Sequence, residues 1–166
     1  MLRTPTNRDM TTHPTHQYSL YRSLLGGLLL LCSLFASPAW STEHVVRMLN
    51  AGADGSMVFE PAFVYAQVGD TVRFEPTSTG HFVRSLAVPD GAKPWLSELD
   101  VPFVVTLSHQ GLYFYNCPPH LMMGMVGLIQ VAEAVNRSTA TAVMKSTQGR
   151  IYSHAARVDS LLALVR

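Results

Sequence analysis

Between residues 43 and 133 the apolar positions fall in short runs rich in β-branched and aromatic residues, each run closed by glycine, proline or aspartate. That rhythm predicts an all-β sandwich. In "TVRFEP", Val72 and Phe74 alternate with Arg73 and Glu75, so the strand has one buried and one wetted face. Further strands are predicted at "HVVRML", "FVYAQV", "HFVRSL", "FVVTL", "LYFYNC" and "GLIQVA", with "MVFEP" as a short link. "AGADG", "VGD", "STG", "VPDGAKP" and "SHQG" supply the turns, because their glycines, prolines and aspartates tolerate the dihedrals that turns need. The expected fold is a Greek-key β-sandwich of about eight strands.

After Glu133 the alternation stops. Ile151, Ala155, Val158, Leu162 and Val165 follow helical spacing and would share one face. Asn136 and then Ser146 or Thr147 are the expected N-caps of two successive helices. The opposite face is not strongly basic, so packing against the sandwich accounts for the apolar stripe better than a membrane surface does.

The first forty residues have a different pattern. Arg3, Arg8 and Arg22 precede the apolar run "LLGGLLLLCSLFA", followed by "SPAWS". This is the layout of an export signal, with cleavage expected after Ala39 or Ser41. The run is shorter than the roughly 20 apolar residues of a membrane-spanning helix, so no stable membrane insertion is expected. The expected division is therefore 1–41 signal peptide, 42–133 sandwich domain and 134–166 helical extension packed on it, with the protein placed in the periplasm.

Removing the leader changes the charge. From Thr42 onward the chain has nine Lys and Arg against ten Asp and Glu, so the net charge passes from +1 to −1. No basic field for nucleic acid survives. One cysteine, Cys117, is left in a compartment where thiols pair or oxidise. Metal ligation is an occupation that fits it.

The stretch "NCPPHLMMGM" then becomes the centre of interest. Cys117, His120 and Met125 form a C-x2-H-x4-M pattern on one loop, and His81 lies upstream where a turn feeds a strand. Singly, each has an ordinary structural use: an inert buried thiol, a loop histidine, a strand-end histidine, a core methionine. Together, on a β-sandwich, they are the ligand set of a His₂Cys trigonal copper site with a weak axial methionine. Met122 follows His120 too closely to turn back under a metal, and Met123 would give a shorter loop. Met125, preceded by Gly124, is chosen. The expected cofactor is one type 1 copper ion per chain.

These residues, with "RMLNAGADGSMVFEP", "VGDTVRFEPTSTGH", "VPDG" and "CPPHLMMGMVGLIQV", resemble the small blue copper proteins, the cupredoxins, over nearly the whole chain beyond the leader. The two final helices match one branch of that family, whereas plastocyanin ends at its last strand. The resemblance implies a cupredoxin-like fold and a soluble periplasmic electron shuttle cycling Cu(II)/Cu(I). It implies ligands His81, Cys117, His120 and Met125, both histidines binding through Nδ1, and the ring edge of His120 as the electron's exit. It places Met57 near that exposed histidine.

The sequence departs from the family where Asn usually follows the first ligand histidine and Thr the cysteine; here Phe82 and Pro118 stand. The polar tie between the two ligand loops is thus expected to be lost, with a nonpolar contact in its place. The Phe82 N–H can still donate to the Cys117 sulfur, whereas Pro118 and Pro119 cannot donate. The reduction potential is expected to differ from that of relatives, with its sign left open.

Leu121, Met122 and Met123 are expected to form an apolar collar beside His120 where periplasmic redox proteins dock. Relatives ring that patch with lysines and meet acidic partners such as copper nitrite reductase; this chain offers only Lys93 and Lys145, with arginines such as Arg84 as partial substitutes. A nitrite reductase or a cytochrome is the candidate partner, and a monomer is expected. His44, His109 and His154 read as structural or solvated. With no phosphate loop, paired carboxylates or nucleophile–base arrangement, the chain is not expected to be an enzyme. The alternative function is storage or delivery of Cu(I) through Cys117, Met122, Met123 and Met125.

Overall fold

The computed structural model describes residues 41–166; the leader-like segment lies outside the described residues. Among the described residues there are eight strands: β1 Glu43–Gly52, β2 Gly55–Glu60, β3 Phe63–Ala66, β4 Thr71–Pro76, β5 Arg84–Ala87, β6 Phe103–Thr106, β7 Gly111–Asn116 and β8 Val126–Val131. A 3₁₀ helix spans Pro118–Met123, and two α-helices follow, α1 Arg137–Gln148 and α2 Ala156–Ala163. The strands form two four-stranded sheets, ordered β2-β1-β4-β6 and β3-β8-β7-β5. The pairs β1–β4 and β3–β8 are parallel and the others antiparallel. Among the described residues no helix is long and apolar enough to cross a membrane.

The described residues enclose two apolar cores, one on each side of the second sheet. Val46, Met48, Val72, Phe74, Tyr113, Tyr115 and Ile129 fill the space between the sheets. Leu112, Phe114 and Leu128 face outward and are covered by Ala140 and Met144 of α1 and Val158 and Leu161 of α2. Every residue of β7 and β8 is consequently buried, and "LYFY" lacks alternation because a strand covered on both faces can be apolar throughout. Asn136 does not cap α1 with its side chain. It instead accepts from the Leu112 N–H (2.7 Å) and donates to the Leu112 carbonyl (3.0 Å), tying the extension to β7.

Three expectations need correction. "MVFEP" is no link: it belongs to β2, which pairs with β1 from Gly52↔Gly55 to Arg47↔Glu60. "HFVRSL" becomes a strand only at Arg84, since the Val83 backbone is spoken for by Ser97, whose Oγ accepts from Val83 N and whose N–H donates to Val83 O, both at 2.9 Å. Ser146 and Thr147 lie inside α1, and the second helix starts after Ala155. The stripe extends beyond the helix: Ile151 and Val165 are buried from positions outside α2, and Leu161 rather than Leu162 carries much of the helical contact.

Candidate metal centre

The loop joining β7 to β8 is built by backbone chemistry that its sequence dictates. Pro118 and Pro119 occupy the first turn of the 3₁₀ helix, where a missing N–H costs nothing. The turn closes with His120 N donating to Cys117 O at 3.1 Å. Gly124, at φ +78°, ends it in the left-handed conformation that glycine adopts without a steric penalty. Met125 N then donates to His120 O (3.2 Å), and Cys117 N donates to Met125 O (3.0 Å). Cys117 and Met125 are thereby set opposite each other where the two strands separate, both fully buried and in the same apolar cluster.

His81 reaches the same place from the other side of the chain. The Asp100 carboxylate accepts from Gly80 N (2.7 Å) and His81 N (3.0 Å), while Asp100 N donates to His81 O (2.9 Å). The imidazole is oriented by Asn50, whose Oδ1 lies 2.9 Å from His81 Nε2. An amide oxygen only accepts, so Nε2 carries the proton and Nδ1 presents a lone pair. Nδ1 of His81 lies 3.7 Å from Cys117 Sγ, and Nδ1 of His120 lies 3.4 Å from the same sulfur. The rings are 4.9 Å apart and tilted by 59°. Donor atoms of His81, Cys117 and His120 all lie within 4.8 Å of one another.

These spacings fit a trigonal ion. Donors each about 2.0–2.3 Å from a shared metal and about 120° apart would be separated by roughly 3.5–4 Å. Burial pushes the Cys117 thiol up, N–H donation from Phe82 and His120 pulls the other way, and the Asp100 carboxylate adds to the rise. Burial, joined by neighbouring His120, holds the His81 imidazole below its ordinary value against the opposing Asp100. A neutral imidazole is the ligating form, and a metal supplies the charge that deprotonates a buried thiol.

His81 is completely buried, whereas His120 is half-buried. Met122 and Met123 are exposed, at 56% and 36%. The collar expected of Leu121 is a correction: its side chain is buried in the cluster between the second sheet and the helices, because a 3₁₀ turn sends successive side chains in different directions. Polar bracing of the His81 loop comes from Asp100, whose carboxylate accepts from Gly80 N and His81 N. Sequence reasoning overlooked Asn50 and Asp100. "MLNAG" and "LDVP" look like ordinary turn approaches, and only spatial proximity reveals their role.

The sandwich and its convergent thiol and imidazoles define the class as a blue copper protein. Residues 46–132 match the model of the copper binding proteins, plastocyanin/azurin family. The pseudoazurin of Paracoccus pantotrophus is 39% identical over 127 residues, covering 75% of this chain and 87% of the relative. That of Methylorubrum extorquens is 37% identical over 150 residues, covering 89% and 99%. The refined crystal structure of pseudoazurin from Methylobacterium extorquens AM1 superposes with a TM-score of 0.65 at 35% identity, over 75% of this chain and 99% of that one. The chain belongs to the plastocyanin/azurin family of copper-binding proteins and, within it, to the pseudoazurins. It is a one-copper electron-transfer protein of type 1, a carrier and not an enzyme, and its partners are redox proteins.

Proposed function

We propose that His81, Cys117 and His120 hold the copper through Nδ1, Sγ and Nδ1, with Met125 as the weak axial ligand. The observation that carries this reading is the aim of both Nδ1 atoms at one sulfur, at 3.7 and 3.4 Å. Copper, when bound, supplies a one-electron couple between Cu(II) and Cu(I). The chain's own part is to fix the donors, exclude water and leave one way out. Asn50 and Asp100 fix His81; the Cys117–Met125 backbone bond fixes the loop; the apolar core around Cys117 keeps water away. Half-buried His120 is the group through which the centre meets a partner.

The docking surface in this reading comprises His120, Met122 and Met123, with a periplasmic cytochrome or copper nitrite reductase as the partner. Residues 1–41 act as the export signal and are removed; 42–133 form the copper domain and 134–166 its helical extension. Storage of Cu(I) on the methionines is disfavoured, because Met125 is buried while Met122 is exposed.

The test is optical. Copper-loaded protein should show an intense visible band that Cys117→Ser abolishes; a colourless copper-loaded protein would overturn the assignment. Anaerobic mixing of the reduced protein with each candidate reductase, followed by return of colour, decides between the partners.

A further inference from the structure

Arg157, in the first turn of α2, is buried, and each of its five N–H groups is spent. Nε donates to Asp54 Oδ2 at 3.1 Å. Nη2 donates to the carbonyls of Asp54 and, at 3.2 Å, Ser56. Nη1 donates to the carbonyls of Met57 at 3.0 Å and Gly124 at 3.1 Å. The guanidinium therefore joins two segments remote in sequence, the turn and first residues of β2 (54–57) and the loop that carries His120 and Met125.

The residues just before Arg157 hold the same loop. Tyr152 N and Ser153 N both donate to Met122 O, at 2.9 and 3.1 Å. A Cβ placed on Gly124 would fall 2.7 Å from Ser153 O and 3.1 Å from both Cβ and O of His154. His154 itself holds φ +60°, an unusual conformation for a residue with a side chain, at this point of contact. Two carbonyls of the ligand loop, Met122 O and Gly124 O, thus find their donors in the extension, on either side of Met123 and immediately before Met125. By contrast, α1 meets the second sheet through apolar contacts of Ala140 and Met144.

Building on the copper assignment above, we propose that the segment 152–157 is a working part of the metal centre, with Arg157 as the residue that positions the His120–Met125 loop. A backbone carbonyl held at Gly124 fixes the peptide that leads into Met125, and with it the position from which the thioether would reach a bound copper. The forked guanidinium does this because one planar group spans four carbonyls; an ammonium is a point donor with three N–H groups and cannot.

Two measurements on the purified protein test this. The first is amide hydrogen exchange at Gly124 and Met125 in ascorbate-reduced protein. Arg157→Met and Arg157→Lys should each accelerate exchange there at least tenfold, with β7 and β8 amides unchanged. Met144→Ala, which loosens the helical layer without removing a hydrogen bond to the loop, should leave both amides at the wild-type rate. The second is the visible spectrum of the oxidised, copper-loaded protein. Both Arg157 variants should shift the intensity ratio of the charge-transfer bands, and Met144→Ala should not. Recovery of the wild-type spectrum and exchange by Arg157→Lys would assign the effect to charge alone and overturn the positioning role. Unchanged exchange in Arg157→Met, or equal acceleration in Met144→Ala, would overturn it as well. A wild-type protein lacking the blue band defeats the ligand assignment instead, and exchange then decides the clamp by itself.

Discussion

At the scale of single residues, the centre depends on side chains that never touch a metal. Asn50 and Asp100 decide where His81 points, one through the ring nitrogen and one through the backbone. Loss of the hydrogen-bond partner of a ligating histidine commonly costs about 10–100-fold in metal affinity. Asn50→Ala should weaken copper binding by that order in competition with a calibrated chelator, with the fold retained by circular dichroism. Asp70 shows the same economy away from the site. Burial alone would raise its carboxyl, but N–H groups of Gln67 and Thr42 and the ring of His44 outweigh it and hold it below the ordinary 3.8. A carboxylate depressed in the folded state contributes stability that is present above its unfolded value and lost as pH falls through the folded one. Urea midpoints should therefore drop as the buffer is taken below about pH 4, and Asp70→Asn should flatten that part of the profile.

At the scale of elements, close contact between strands leaves no room for added atoms. Tyr115 stacks edge-on against Phe59 and Phe74, at 4.9 and 5.0 Å, and its ring lies over Gly127 in the register-matched position of β8. A Cβ at Gly127 would come within 2.4 Å of the phenol. Gly127→Ala should cost about 1–3 kcal/mol, the usual cost of overpacking, read as a lower urea midpoint. This region also shows what the pattern of apolar residues could reveal about the fold. Strands β1, β3, β4, β6, β7 and β8 were visible because their side chains announce buried faces. The extent of β2 was not, because a strand is completed by its neighbour and "MVFEP" lies against β1 only after the turn at residues 53–54 has folded. The start of α2 was missed for a similar reason: residues 152–154 meet the ligand loop instead of continuing a helix.

At the scale of the molecule, the near-neutral charge of residues 42–166 and their sparse lysines bear on partner choice. Lys145 is already paired with Asp159 on the helical extension. Long-range steering scales with net charge and is screened by salt. Electron transfer to a redox partner protein should consequently change by less than about threefold between low and physiological ionic strength, measured by stopped-flow mixing. A steep salt dependence would point to a charged docking face that the Met122–Met123 surface does not provide.

What the sequence determined by itself is what covalent spacing and side-chain chemistry enforce. Cys117, His120 and Met125 sit on one short loop whose prolines and glycine bend it, and apolar alternation commits the remainder to a sandwich. Only the tertiary structure decided which atoms meet across long separations: Asn50 with His81 over 31 residues, Asp100 with His81 over 19, and Arg157 with Gly124 over 33. It also turned Leu121 inward and left Met122 and Met123 at the surface. The reason is physical. A short loop restricts its own geometry, whereas a hydrogen bond between distant segments exists only once packing has brought donor and acceptor together.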